Sequence, residues 1–305
     1  MPTLEQYESV LTHPDSAFAD TELRGCAPML DRHGRPFAVA GKFGSVFRFD
    51  HPAGYPLAVK CFTHYAEHPG LHQRRHALIS SVLSRLSRRW KVDFDVLPKG
   101  VLVGCDWHPI LKMQWVEGKS LGSFIDGSLR RPGVLATVAR RFASLVADLA
   151  EEGLAHGDLH QGNILVEPDM ELRLVDYGGM YVPELEPLGV PEKGHKDFQS
   201  PDREGQFGPD VDRFSAWVIY GSLVALTIDP TLWFRLRAGR SDQLLFNHAD
   251  FRDPAGSGAL RVLQETGKGA LQALAETLRS VWEAGLAQIP KLDPGALPPP
   301  APASA

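Results

Sequence analysis

Residues 37–60 alternate like β-strands, and from Leu135 onward the apolar residues recur at helical spacing. That order restricts the fold most: strands first and helices later predict an α+β, bilobed chain with a sheet-rich small lobe and a larger helical lobe. The strand segments begin at Phe37-Ala-Val-Ala, Ser45–Phe49 and Leu57–Lys60, and turn residues from Asp50 to Pro56 make the last two a hairpin. Pro69-Gly70 opens a helix whose apolar face is Ala77, Leu78, Val82 and Leu86, and strands follow near Val96–Val103 and Ile110–Val116. Leu135, Val138, Phe142, Leu145, Val146 and Leu149 form an apolar stripe that ends at Gly153. The expected divisions are an irregular extension over 1–36 with one short helix near Leu4–Leu11, a small lobe over 37–116, a large lobe over 117–289 and a Pro/Ala-rich disordered tail over 290–305. The join falls near Trp115–Gly118.

The chain has 305 residues, is 43% hydrophobic and carries a net charge of −5, so nothing global points to nucleic acid. Three scattered cysteines, Cys26, Cys61 and Cys105, show neither metal-ligand spacing nor a disulfide framework, which predicts a cytoplasmic protein. The start, MPTLEQYESV, lacks the basic and apolar regions of a signal peptide. The apolar run from Phe214 to Ile228 is too short for a membrane span and predicts a buried helix, so no membrane partner is expected. The tail from Pro290 suggests a tethered domain or partner.

Residues 156–163 are His-Gly-Asp-Leu-His-Gln-Gly-Asn, and thirteen residues after Asn163 comes Asp176-Tyr177-Gly178. Asp158 is suited to orienting a hydroxyl or accepting its proton. Asn163 and Asp176 offer oxygens for Mg²⁺, a hard ion. Transfer of a phosphoryl group from ATP asks for little beyond such positioning and charge neutralisation.

These residues resemble the protein-kinase-like superfamily: the loop is similar to H-R-D-L-x-x-x-N with Gly157 for Arg, and Asp176-Tyr177-Gly178 to D-F-G. The wording H-G-D-L-H-x-G-N is shared with aminoglycoside phosphotransferases. Val39 to Val46 resembles the glycine-rich loop, with Val39 for its first glycine, and Leu57-Ala58-Val59-Lys60 resembles V-A-I-K. The resemblance implies that the backbone of Gly41, Lys42, Phe43 and Gly44 covers the phosphates of ATP and Lys60 contacts them. Val46 and Ala58 would roof the adenine and Leu165 floor it, with Met113 as gatekeeper and Gln114 and Val116 binding the base. Asp158, Lys60 and Asn163 would be catalytic, and Asn163 and Asp176 the metal ligands.

One part of the pattern is missing. Kinases pair the strand lysine with a helix glutamate. His72–Leu86 holds no acidic residue, Glu67 lies ahead of Pro69, and Gln73 offers Lys60 only a hydrogen bond. Arg74, Arg75, Arg85, Arg88, Arg89 and Lys91 are expected as a solvated basic face.

Ser200-Pro201-Asp202 resembles A-P-E, and Asp212-Arg-Phe-Ser215 resembles D-x-W-S, whose aspartate hydrogen-bonds the catalytic-loop backbone. Aminoglycoside phosphotransferases lack this pair, so an atypical, bacterial-type protein kinase leads, with a protein substrate. Gly157 removes the arginine that clamps a phosphorylated activation segment, and Tyr177–Gln199 contains no Ser or Thr; Pro183, Pro187 and Pro191 stiffen it instead. Lysine and threonine typical of Ser/Thr specificity are replaced at His160 and near His195, so Ser/Thr transfer rests on base rates. Two other readings stay open: a small-molecule kinase, and a pseudokinase that senses nucleotide as a scaffold.

Overall fold

A computed structural model describes residues 1–65, 67–189, 194–237 and 242–293. The chain forms two compact units: Met1–Ser87 with Val92–Val116, and Arg88–Lys91 with Glu117 onward.

The first unit is built on antiparallel strands β1 (Ala27–Pro28), β2 (Ala38–Ala40), β3 (Gly44–Asp50), β4 (Pro56–Phe62), β5 (Phe94–Val103) and β6 (Asp106–Gln114). Their order is β1-β3-β4-β6-β5, with β2 paired to β3. Strand alternation sorts the sheet's faces. Phe47, Phe49, Leu57, Val59, Cys61 and Ile110 point to one face and form a core with Tyr7, Leu11, Phe18 and Leu23. Those four lie in or beside helices α1 (Leu4–Leu11), α2 (Pro14–Ala17) and α3 (Thr21–Arg24). Residues 4–28 are therefore a packed layer and not an irregular extension, while 29–35 are largely exposed. Thr3 and Gln6 cap α1 reciprocally and Asp20 caps α3. The Tyr7 hydroxyl donates to the Phe62 carbonyl at 2.8 Å, and Lys112 bridges Asp20 and Glu22 at 3.0 and 2.9 Å.

Helix α4 (Pro69–Leu83) buries His72, Arg75, His76, Ile79, Val82 and Leu83. Ala77 faces solvent, and Leu78 and Leu86 are only half-buried, so the expected apolar face is corrected. Aromatic and ionic partners bring the polar residues inward. The His72 and His76 rings lie 4.6 and 5.6 Å from the Phe62 ring, and the Arg75 fork pairs with both Glu67 oxygens at 3.0 and 3.2 Å. The basic residues are not one solvated face either: Arg75 is 1% exposed. Arg88 binds Asp148, Glu151 and Glu152 at 3.0, 2.6 and 2.7 Å.

The second unit holds a small sheet of β7 (Lys119–Ser120), β8 (Ile164–Val166) and β9 (Leu172–Leu174). Its helices are α5 (Leu121–Asp126), α6 (Pro132–Glu151), α7 (Arg213–Ile228), α8 (Leu232–Arg237), α9 (His248–Arg252), α10 (Gly258–Glu265) and α11 (Gly269–Glu283). Pro132 starts α6, where its missing N–H costs nothing, and its apolar stripe is buried except for the half-buried Val146. Gly153 (φ +66°) ends the helix in a left-handed conformation and turns the chain into the loop at 156–163. Helix α7 is buried from Phe214 through Thr227, and α6 and α11 pack against it. Among the described residues no helix is long and apolar enough to cross a membrane.

Residues 290–293, assigned above to the tail, touch the rest of the second unit at two points. The Trp217 indole donates to the Pro290 carbonyl at 2.9 Å, and Leu292 is buried. Residues 294–305 lie outside the described residues, as does Pro191.

Candidate active site

In the first unit, β2 and β3 form a hairpin whose turn holds Gly41, Lys42 and Phe43. The Gly41 N–H donates to the Gly44 carbonyl at 2.8 Å, and the Phe43 carbonyl accepts from Thr63 at 3.0 Å. Lys42 Nζ lies 4.7 Å above the Phe43 ring. A Cβ at Gly44 would run into the Cys61 carbonyl oxygen, so strand pairing alone demands glycine there.

Register aligns the rest. Val46 opposes Lys60, and Ala58 opposes Met113. Opposed residues share a face, here the one turned away from the N-terminal helices. Lys60 is 7% exposed, with its Nζ 5.6 Å from the Phe62 ring centre. Gln114 opposes Leu57 at the end of β6, and Val116 ends the unit.

In the second unit the loop is tied down at both ends. Asp212, at the start of α7, accepts at one carboxylate oxygen from the His156 N–H and at the other from the Gly157 N–H at 2.9 Å. Burial pushes the Asp212 carboxyl up, against the two backbone donors and the charges of His156 and Arg203, which pull it down. The His156 ring donates through Nε2 to the Val175 carbonyl at 2.9 Å, and the Val175 N–H donates to the Asn163 carbonyl at 3.0 Å. These bonds lock the loop to the residue before Asp176. Asp176 has φ +63°, a left-handed conformation that aspartate tolerates better than most residues and that turns the chain out of β9.

The Asn163 amide donates to the Asp158 carbonyl at 3.0 Å. Asp158 Oδ1 accepts from the His195 N–H at 2.7 Å, while Oδ2 lies 3.9 Å from His160 Nε2. Burial lowers the His160 pKa although the Asp158 charge raises it. Leu165 is half-buried at the centre of β8. The second unit thus ties Asp158 to Asn163, and Asn163 to the residue before Asp176, with Leu165 two positions after Asn163 on β8. The oxygen-bearing side chains of Asn163 and Asp176 fit a hard cation in chemistry.

Two contacts escaped the sequence reading. A Cβ at Gly157 (φ +76°) would strike the Gly179 carbonyl oxygen, which explains why glycine stands where the kinase pattern has arginine. The His195 backbone on Asp158 has no side-chain signature at all. His195, Asp197 and Asp242 also bring ligand atoms within 4.8 Å of one another. Asp197 is already engaged by the His248 N–H at 2.8 Å.

Residues 106–185 match the ABC1 atypical kinase-like domain. The chain is 33% identical over 86 residues to Protein ACTIVITY OF BC1 COMPLEX KINASE 3, chloroplastic, of Arabidopsis thaliana, covering 28% of this chain and 12% of that protein. It is 33% identical over 66 residues to Serine/threonine-protein kinase pakA of Talaromyces marneffei, covering 22% of this chain and 10% of that one. The chain therefore spans a small part of the relatives it matches. These likenesses support an atypical protein-kinase-like domain that includes residues 106–185.

Proposed function

We propose that this chain transfers the γ-phosphoryl group of Mg²⁺-ATP to a hydroxyl, with protein serine or threonine as acceptor and the cytoplasm as its place. The observation that carries the reading is the bonded series Asp212–His156–Val175–Asn163, which fixes Asn163 beside Asp158 and one residue from Asp176. Magnesium supplies charge neutralisation at the phosphates. In this reading Asn163 and Asp176 hold the metal and Lys60 steadies the phosphates, with the backbone of Gly41–Gly44 over them. Asp158 orients the acceptor hydroxyl and takes its proton. Val46, Ala58, Met113, Gln114, Val116 and Leu165 form the base's slot.

With γ-labelled ATP, Mg²⁺ and a mixed protein substrate, wild type labels protein. Asp158→Asn loses about 1000-fold in rate while still binding ATP. Asp176→Ala weakens magnesium-dependent binding. Normal transfer by both variants would remove the assignment.

A second reading, a nucleotide-binding scaffold without transfer, is favoured by α4. The helix carries no acidic residue, and Glu67 is committed to Arg75. ATP binding with no label on any acceptor would support it.

A further inference from the structure

His160 accepts a hydrogen bond at Nδ1 from the backbone N–H of Gly162, 3.0 Å away. An imidazole nitrogen that accepts carries no proton. The neutral ring therefore holds its hydrogen on Nε2, the nitrogen 3.9 Å from Asp158 Oδ2. Gly162 also makes room: a Cβ there would lie 2.8 Å from His160 Cε1 and 3.1 Å from Nδ1, displacing the ring. The His195 and Phe198 rings, centred 5.3 and 5.9 Å away, confine it further. With Nδ1 occupied, the neutral ring has no lone pair left for a proton from an acceptor, so it acts only as a donor. The opposite oxygen of Asp158 is held by the His195 N–H at 2.7 Å.

We propose that His160 is a positioning residue for Asp158: Gly162 fixes its imidazole as an Nε2–H donor to Asp158 Oδ2, and this contact sets the orientation of the carboxylate. The inference rests on the reading of Asp158 as the group that orients the acceptor hydroxyl. At 3.9 Å the two atoms stand beyond hydrogen-bond distance, and the proposal is that the bond forms when the site fills, as catalytic contacts often tighten with substrate bound.

Glutamine places an amide nitrogen where Nε2 stands, and asparagine reaches only the Nδ1 position. In the γ-labelled ATP assay, His160→Gln therefore keeps kcat within about threefold of wild type, while His160→Asn loses about 100-fold, with the KM for ATP unchanged in both. A residue that merely braced the loop would lose equally with either. Imidazole ¹⁵N spectra of the full chain decide the contact without reference to activity. The wild type is expected in the Nε2–H form, with an Nε2 resonance that moves in Asp158→Asn. The Nδ1–H form, an Nε2 resonance indifferent to Asp158→Asn, or equal kinetic losses would overturn the proposal. If wild type transfers no phosphate, the proposed function falls, and the wild-type spectrum, which needs no variant to fold, still decides the tautomer.

Discussion

An L-side chain at position 157 has nowhere to go. The backbone there is left-handed, and the Cβ would point into the Gly179 carbonyl. Restoring the arginine of the kinase pattern is therefore no repair. Gly157→Ala is expected to destabilise the protein by about 1–3 kcal/mol from backbone conformation alone, with the clash adding to it. Gly157→Arg should be at least as costly. Thermal unfolding checks both, and an unchanged Tm in Gly157→Ala would show that the loop relaxes freely. At this scale the loop was the most legible part of the chain, because Asp158, Asn163 and Asp176 lie within one short stretch and their chemistry is local. The Gly157–Gly179 approach was not legible: it joins residues that no local propensity couples.

Helix α4 shows where element-level reasoning stops. Its existence and its start at Pro69 follow from local signals, yet the residues it buries include two histidines and an arginine. Apolar spacing could not find that face, because the partners that make burial tolerable, Phe62 on β4 and Glu67 in the loop ahead of the helix, lie outside α4. The four-residue helices α2 and α3 are too short for periodicity to show. The Glu67–Arg75 pair belongs to this scale, since it pins the approach to α4 against the helix itself. Glu67→Gln removes the carboxylate that pairs with buried Arg75 at 3.0 Å and should cost about 3–5 kcal/mol. The double variant Glu67→Leu with Arg75→Met removes both charges and should cost far less. Denaturant unfolding of the two separates a buried ion pair from simple packing, and equal losses would argue that the pair matters only through its shape.

Across the whole molecule, the order of strands and then helices was legible because it needs only the two hydrophobic periods. Two features were not. Residues 4–28 form a layer on the sheet, and Arg88–Lys91 belong with the helical unit, where the Trp90 carbonyl accepts from Leu174 at 2.7 Å. Both depend on contacts between residues distant in sequence. The segment after Asp176 carries the last consequence. It contains no Ser or Thr, and both its tyrosines are enclosed. The Tyr177 hydroxyl donates to the Leu174 carbonyl at 2.6 Å. Tyr181 exchanges two backbone bonds with Ala155 at 2.8 and 3.2 Å, and its ring meets Phe207 edge-on at 5.0 Å. A kinase acting on this segment would first have to unpack it, and phosphate on Tyr181 would then oppose its return to an apolar contact. Transfer activity is therefore expected from protein that carries no phosphate between residues 177 and 199, and Tyr181→Phe should stay within about twofold of wild type because the hydroxyl is not needed for the ring contact. Mass-spectrometric mapping of active protein, alongside the rate of Tyr181→Phe, tests this directly. Phosphotyrosine at 181 whose removal abolishes transfer would mean that the packed segment is one state of a switch.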